Sequence, residues 1–358
     1  MEANKPKLTR KTILLPIVGL AAFFLYILLF NVDIPEIIRT AQTADPVIYS
    51  AAVLVSLAEV FFYAISWRAI LSYLQVKISV IRSYLFVWYG TFMDIVIPAE
   101  SISGEVCRVY LVNREQVGTG GKVVASVVTQ RLLGMGMNII FLIVGIDLLL
   151  TDTKVNPLIF DLIFFFTVAI AAIMALLLLV SAKETWSRKL INGLVRICEF
   201  ITRGKWKQLS QIKEEALKDA VVFHESMKEL IRRPQTLILP GILLGVNWVC
   251  SISVPYLVFL SLGYNVPWSV ILITSSIVVA VKSIPIGVPF EVGLPEITMT
   301  TLYTSMLGME FAPICATATI LSRIITLWLR FGIGFASQQW VELKSVLVPK
   351  NKMPIQKT

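Results

Sequence analysis

Residues 97–131 read IPAESISGEVCRVYLVNREQVGTGGKVVASVVTQR, and residues 284–323 read IPIGVPFEVGLPEITMTTLYTSMLGMEFAPICATATILSR. Each stretch begins with Ile-Pro at the end of an apolar run. Each then carries a glutamate after a glycine-containing turn (Glu105, Glu296), a helical run and a glycine (Gly118, Gly308). Each closes with a small-residue helix that reaches an arginine (Arg131, Arg323). Glutamate and arginine are 26 residues apart in the first stretch and 27 in the second. Unlike features in the same order at nearly the same spacing point to a duplicated unit, with copies at 84–150 and 269–340.

The chain around these copies has 358 residues, 56% hydrophobic and 15% charged, and a mean hydropathy of +0.79. A soluble domain carries about a quarter charged residues. Several apolar runs are long enough to cross a bilayer as helices. The expected fold class is therefore all-α, a polytopic membrane protein forming a single integral domain. The net charge of +9 then has to be read by location, and nucleic acid is not an expected partner. Four scattered cysteines (Cys107, Cys198, Cys250, Cys315) and the single His224 suggest neither a disulfide framework nor a zinc site. No metal or cofactor is expected.

Six runs read as full spans: 12–30, 47–66, 123–150, 158–182, 236–262 and 313–340. The first has a basic flank, but its apolar core exceeds that of a signal peptide and no small-residue cleavage site follows, so it reads as a retained anchor. Lys and Arg dominate residues 1–11, 67–83 and the tail, whereas acids dominate 31–46. Both termini are therefore expected in the cytoplasm of a multi-pass cell-membrane protein.

Four pieces, 84–98, 103–113, 269–284 and 294–307, are too short to cross comfortably. They read as two pairs of half-length or re-entrant helices, tolerable at depth where protein or a wet cavity covers the backbone. The count of crossings makes the first pair open inside and the second outside. That is an inverted repeat, an architecture that places a transporter's substrate site near the midplane. If each short piece crosses fully, there are ten crossings with the same orientation. Residues 183–234 hold twelve Lys/Arg against seven Asp/Glu, a net +5, and two stripes at helical spacing. They read as a cytoplasmic amphipathic insertion, lying on anionic lipid or packed on the ends of the spans.

A charge within a span costs about 2.5–3.5 kcal/mol and needs a partner or water. Glu59, Asp94, Glu105, Arg108, Arg131, Lys282, Glu291, Glu296, Arg323 and Arg330 are the candidates. One reading makes Glu105, Arg108, Arg131, Glu296 and Arg323, with Asp94 and Lys282 second, the substrate-binding set of a polar cavity. Arg131, Arg323 and Lys282 would then face an anionic group such as a lipid phosphate. The other pairs Glu105 with Arg131 and Glu296 with Arg323 as internal braces. Glu59 and Arg330 read as single charges, the one a helix contact and the other snorkelling. The GTGGK at 118–122 lacks the Ser/Thr of a phosphate loop and reads as a flexible turn. Gly241 and Gly245 form a GxxxG expected to pack closely. Nothing nominates a nucleophile with its base, so enzymatic activity is not expected. Asp94 and Glu105 are the only plausible acid–base pair if there is any.

The first stretch carries Pro98, Gly104-Glu105, Arg108, Leu111 and Gln130-Arg131, and the second Pro285, Gly293-Leu294-Pro295-Glu296, Gly308 and Arg323. Over roughly residues 10–340 the sequence resembles the lysylphosphatidylglycerol synthase transmembrane region family of flippase-like membrane proteins. The resemblance implies a relative of the part of that synthase which moves aminoacylated phospholipid between leaflets; other relatives sit beside polyprenyl-linked sugar pathways. Gln130 stands where members often have Glu, which weakens a local acid–arginine pairing. Pro295 replaces a more usual basic or polar residue. The synthase's soluble aminoacyl-transfer domain has no counterpart here, so lysyl transfer is not expected. The expected function is a flippase or scramblase for an anionic or aminoacylated phospholipid or a polyprenyl-linked lipid. The alternatives are a membrane enzyme acting on a lipid-linked substrate, or an accessory subunit of a lipid-modifying enzyme.

Overall fold

The computed structural model describes residues 34–97, 102–152, 157–182, 184–202, 209–282 and 293–347. The expected span at 12–30, Pro98, Pro285, Glu291 and the basic tail beyond residue 347 lie outside them. The described residues contain helices and turns and no strand.

Helices α1 (Ile34–Gln42) and α2 (Pro46–Tyr73) meet at Asp45. Its carboxylate accepts the N–H groups of Val47 and Ile48 at 2.8 and 3.2 Å, satisfying donors that a helix start leaves open. Pro46, which has no N–H to lose, takes the first helical position. Two short helices follow, α3 (Val80–Val96) and α4 (Ile102–Glu115). Next come α5 (Gly120–Asp152), α6 (Pro157–Ala182), α7 (Glu184–Thr202), α8 (Leu209–Arg232) and α9 (Ile238–Ser261). A second short pair is α10 (Trp268–Lys282) and α11 (Leu294–Leu307). The last long helix is continuous but uneven: α12 (Ala312–Arg323), a π-helical segment (Ile324–Leu329) and α13 (Arg330–Leu347).

Four helical stretches are long and apolar enough to cross a bilayer: Pro46–Tyr73, Gly120–Leu150, Pro234–Ser261 and Met309–Leu343. They coincide with four of the six expected spans. A fifth is obtained by joining Thr167–Leu179 to Glu184–Gly193, although the chain turns through 98° between them. The chain is a multi-pass integral membrane protein.

Polar and ring contacts fix which ends lie together. Arg82 and Glu115 pair at 2.8 Å, joining the start of α3 to the end of α4. The Gln116 amide donates to the Lys77 carbonyl at 2.8 Å. Both ends of the α3–α4 hairpin thus lie at the C-terminal end of α2. At the opposite end, the Asp45 N–H donates to the Ser261 carbonyl at 2.7 Å. There the Tyr264 ring meets Phe311 edge-on at 6.2 Å, which brings the start of α10 to the end of α11.

α9 lies along α2 in the most extensive helix pairing of the fold. One apolar core joins α9, α10, α11 and α12 around Phe259, Ile271 and Tyr303. A second joins α2, α3, α4 and α5 around Trp67, Trp88 and Leu111. The α8 stripe of Ala220, Phe223, Met227 and Leu230 is buried against α5 and the end of α2. Of the two readings of the insertion, packing on the spans therefore holds for α8, although Ile231 beside Leu230 stays exposed. The GTGGK turn is part of this junction. The Gly121 N–H donates to Asp219 of α8 at 3.2 Å, and a Cβ on Gly121 would lie 2.4 Å from the Asp219 carbonyl. The GxxxG of α9 departs from expectation, because a Cβ on Gly241 would meet nothing within 4 Å.

Candidate functional site

A cavity of about 350 Å³ opens where the two cores meet. It is walled by α2, α3, α4, α9, α10, the π segment and the start of α13. Three carboxylates (Glu59, Asp94, Glu105) and three cations (Arg108, Lys282, Arg330) line it, with Tyr63, Asn247 and Ser251 as further polar groups. Its depth follows from helix geometry. Glu59 stands thirteen residues after Pro46 and fourteen before Tyr73. Asn247 has a similar central place in the Pro234–Ser261 span. At about 1.5 Å per residue both lie roughly 20 Å from either end.

Asp94 closes the first hairpin. Its carboxylate accepts the Gly104 N–H at 2.6 Å and the Ser103 hydroxyl at 2.8 Å, at the N-terminus of α4. A negative group there is stabilised by free N–H donors and by the helix dipole. Gly104 lets the helices touch: a Cβ would lie 2.3 Å from the Asp94 Oδ2 and 2.5 Å from the Gly90 carbonyl oxygen. At the start of α11 the capping carboxylate comes from the helix itself, Glu296. It accepts the Gly293 N–H at 2.6 Å, with Gly293 at φ 101°.

The two glutamate–arginine pairs of the repeated motif both form. Arg131 of α5 meets Glu105 of α4 at 3.0 Å, and Arg323 of α12 meets Glu296 of α11 at 2.5 Å. Each pins the second short helix of a hairpin to the long helix that follows. The environments differ: the first pair is about one-fifth exposed and borders the cavity through Glu105, whereas the second is 3% and 1% exposed and lies away from it.

Glu59 and Arg330, expected as single charges, pair with each other, and Arg330 also donates to the Ser56 hydroxyl at 3.2 Å. The π segment explains why Arg330 faces α2. Seven residues of α-helix return a side chain to within about 20° of the same face, which would aim Arg330 along with Arg323. The wider turn of Ile324–Leu329 rotates it away. One long helix can then satisfy Glu296 with one arginine and Glu59 with the other.

Arg108 is 4% exposed and held by neutral groups. Its Nη1 donates to the Gln130 Oε1 at 2.9 Å and its Nη2 to the Tyr63 hydroxyl at 3.3 Å. The guanidinium carbon lies 5.3 Å from the Tyr63 ring centre and 5.0 Å from that of Trp67. Trp67 is anchored by its indole N–H on the Ser126 hydroxyl at 3.0 Å, and the Gln130 amide donates to the Tyr63 carbonyl at 2.8 Å. Gln130 thus makes no acid–arginine pair; it orients a second arginine. Sequence reasoning missed Tyr63, Trp67 and this use of Gln130. One signal was available: Glu59, Tyr63 and Trp67 recur every fourth residue and so share a face of α2. Lys282 ends α10 and reaches the cavity, so the cavity brings together Asp94, Glu105, Arg108 and Lys282 of the expected set.

The family model for the lysylphosphatidylglycerol synthase transmembrane region matches residues 14–334. The chain belongs to that family. The matched region includes every residue that lines the cavity. A UPF0104 membrane protein of Pyrococcus horikoshii is 26% identical over 327 residues, covering 90% of this chain and 95% of the relative. A UPF0104 membrane protein of Methanothermobacter thermautotrophicus is 21% identical over 329 residues, covering 91% and 94%. Within this lysylphosphatidylglycerol synthase transmembrane-region protein, the cavity gathers acids and cations from both short helix pairs and the long spans, and two ion pairs border it.

Proposed function

We propose that this protein is a lipid flippase or scramblase that passes a polar headgroup between leaflets through the cavity while the acyl or prenyl tails stay in lipid. The observation that carries the reading is six ionisable side chains around about 350 Å³ of space at the middle of the spans. Moving a charged headgroup through hydrocarbon strips its hydration at prohibitive cost. A pocket of fixed charges and hydrogen-bonding groups replaces that hydration at the depth where the barrier peaks. Its volume matches about twelve waters at roughly 30 Å³ each, enough for a phosphate and a small substituent. The substrate class is an anionic or aminoacylated phospholipid, or a polyprenyl-linked lipid.

The copies at 84–150 and 269–340 are read as an inverted repeat, supported by hairpins that open at opposite ends of α2. Such repeats rock about a shared midplane site. The end carrying α8 is read as cytoplasmic because the insertion is basic, and both termini are read as cytoplasmic from their own basic flanks. Trp186, Arg188 and Arg196 on α7 are exposed and suit contact with an anionic membrane surface. The protein is read as a non-enzymatic transporter.

Reconstitution tests this. Liposomes containing the protein should move labelled phospholipid or polyprenyl phosphate across the bilayer faster than protein-free liposomes. Equal rates across the whole substrate panel would overturn the proposal.

A further inference from the structure

The charges of the cavity are not equivalent. Arg330 is paired with Glu59, and Arg131 beside the cavity is paired with Glu105. Arg108 has no acid within ion-pairing distance among the described residues. Its partners are an amide oxygen, a phenol and two aromatic faces. A cation this buried, without a counter-ion, is held at a desolvation cost that an incoming anion relieves. A guanidinium has five N–H donors. Gln130 and Tyr63 take two, which leaves three for a ligand in the space that Arg108 lines.

We infer that Arg108, braced by Gln130, Tyr63 and Trp67, is an oxyanion subsite that receives a phosphate group in the cavity. This moves the phosphate contact from Arg131 and Arg323, which sequence reading favoured and which the fold commits to glutamates. The planar fork of arginine suits two oxygens of one phosphate, and the contacts with Gln130, Tyr63 and Trp67 reduce the rotational freedom that binding would otherwise have to freeze. Gln130 is then the determinant of charge selectivity. Glu at this position has the same shape but would neutralise Arg108 from 2.9 Å away. The inference rests on the translocation reading only for the source of the phosphate, a lipid headgroup, and not for the subsite itself.

Calorimetry on the purified full chain in a neutral detergent, with three ligands, tests it. Dihexanoyl phosphatidylglycerol should bind saturably, and dihexanoylglycerol, which lacks the phosphate, should not. Arg108→Gln and Gln130→Glu should each weaken phosphatidylglycerol binding at least tenfold. Two variants are used because either alone can disturb folding; only those that keep a cooperative melt are compared. Binding at wild-type strength in such a variant, or equal binding of both glycerolipids, overturns the subsite. Inorganic phosphate binding as tightly as the phospholipid keeps the subsite and assigns it to free phosphate. Transbilayer movement that survives in Arg108→Gln overturns the subsite and leaves translocation standing. Arg108-dependent binding without any lipid movement does the reverse.

Discussion

Glu296 and Arg323 are almost sealed from solvent, whereas Glu105 and Arg131 retain about a fifth of their surface. The same motif pair should therefore carry different energetic weight in its two copies. Removing one partner of a buried pair strands the other charge and costs about 3–5 kcal/mol, whereas a partly exposed pair is worth about 1 kcal/mol or less. Glu296→Gln should lower unfolding free energy in detergent by the larger amount and Glu105→Gln by the smaller. The double change Glu296→Gln with Arg323→Met should restore most of the loss. Equal losses for the two glutamines would contradict the difference in burial. The loss in Glu296→Gln should also be the greater because that carboxylate starts α11 as well as binding Arg323.

At the scale of elements, the short helices are held by close backbone approach. Gly104→Ala would drive a methyl into Asp94 and the Gly90 carbonyl, and overpacking of that kind costs about 1–3 kcal/mol. Gly134→Ala in α5 meets nothing within 4 Å and should stay within about 1 kcal/mol of wild type, on the stable side. A thermal-melt series distinguishes the two, and a neutral Gly104→Ala would mean that α3 and α4 are not in contact. The α5–α8 junction gives a second case. Asp219→Ala removes an acceptor from the start of α5, worth about 1 kcal/mol. It should speed tryptic cleavage at Lys213, Lys218 and Lys228 while the spans stay folded. Unchanged cleavage would argue that the apolar stripe alone seats α8.

For the molecule as a whole, the contacts make a statement about sidedness. Thr43 and Tyr264 lie at one end of the bundle, and Lys77 and Val117 at the other. In a background without the native cysteines, Thr43→Cys and Tyr264→Cys should react with an impermeant maleimide from one side of the membrane. Lys77→Cys and Val117→Cys should react only from the opposite side. Labelling of Thr43→Cys and Val117→Cys from the same side would break the arrangement of two hairpins opening at opposite ends. Short hairpins set head to tail against long spans leave a junction that neither apolar core fills, and the cavity lies there.

Membrane class, the long helices and the two short pairs were legible in the sequence because each depends on local composition, run length and spacing. The glutamate–arginine pairs were legible too, since nearly the same spacing stands twice in the sequence and both pairs form. The partnership of Glu59 with Arg330 was not, because the residues are 271 positions apart and a π segment with no sequence signature turns one toward the other. Nor was the place of Arg108: whether an arginine is neutralised depends on which helices reach it, and Gln130 and Tyr63 come from two different ones. Local sequence decides which groups must be satisfied within the membrane; only tertiary packing decides by whom, because partners are chosen by distance in space and the chain's own order says little about that.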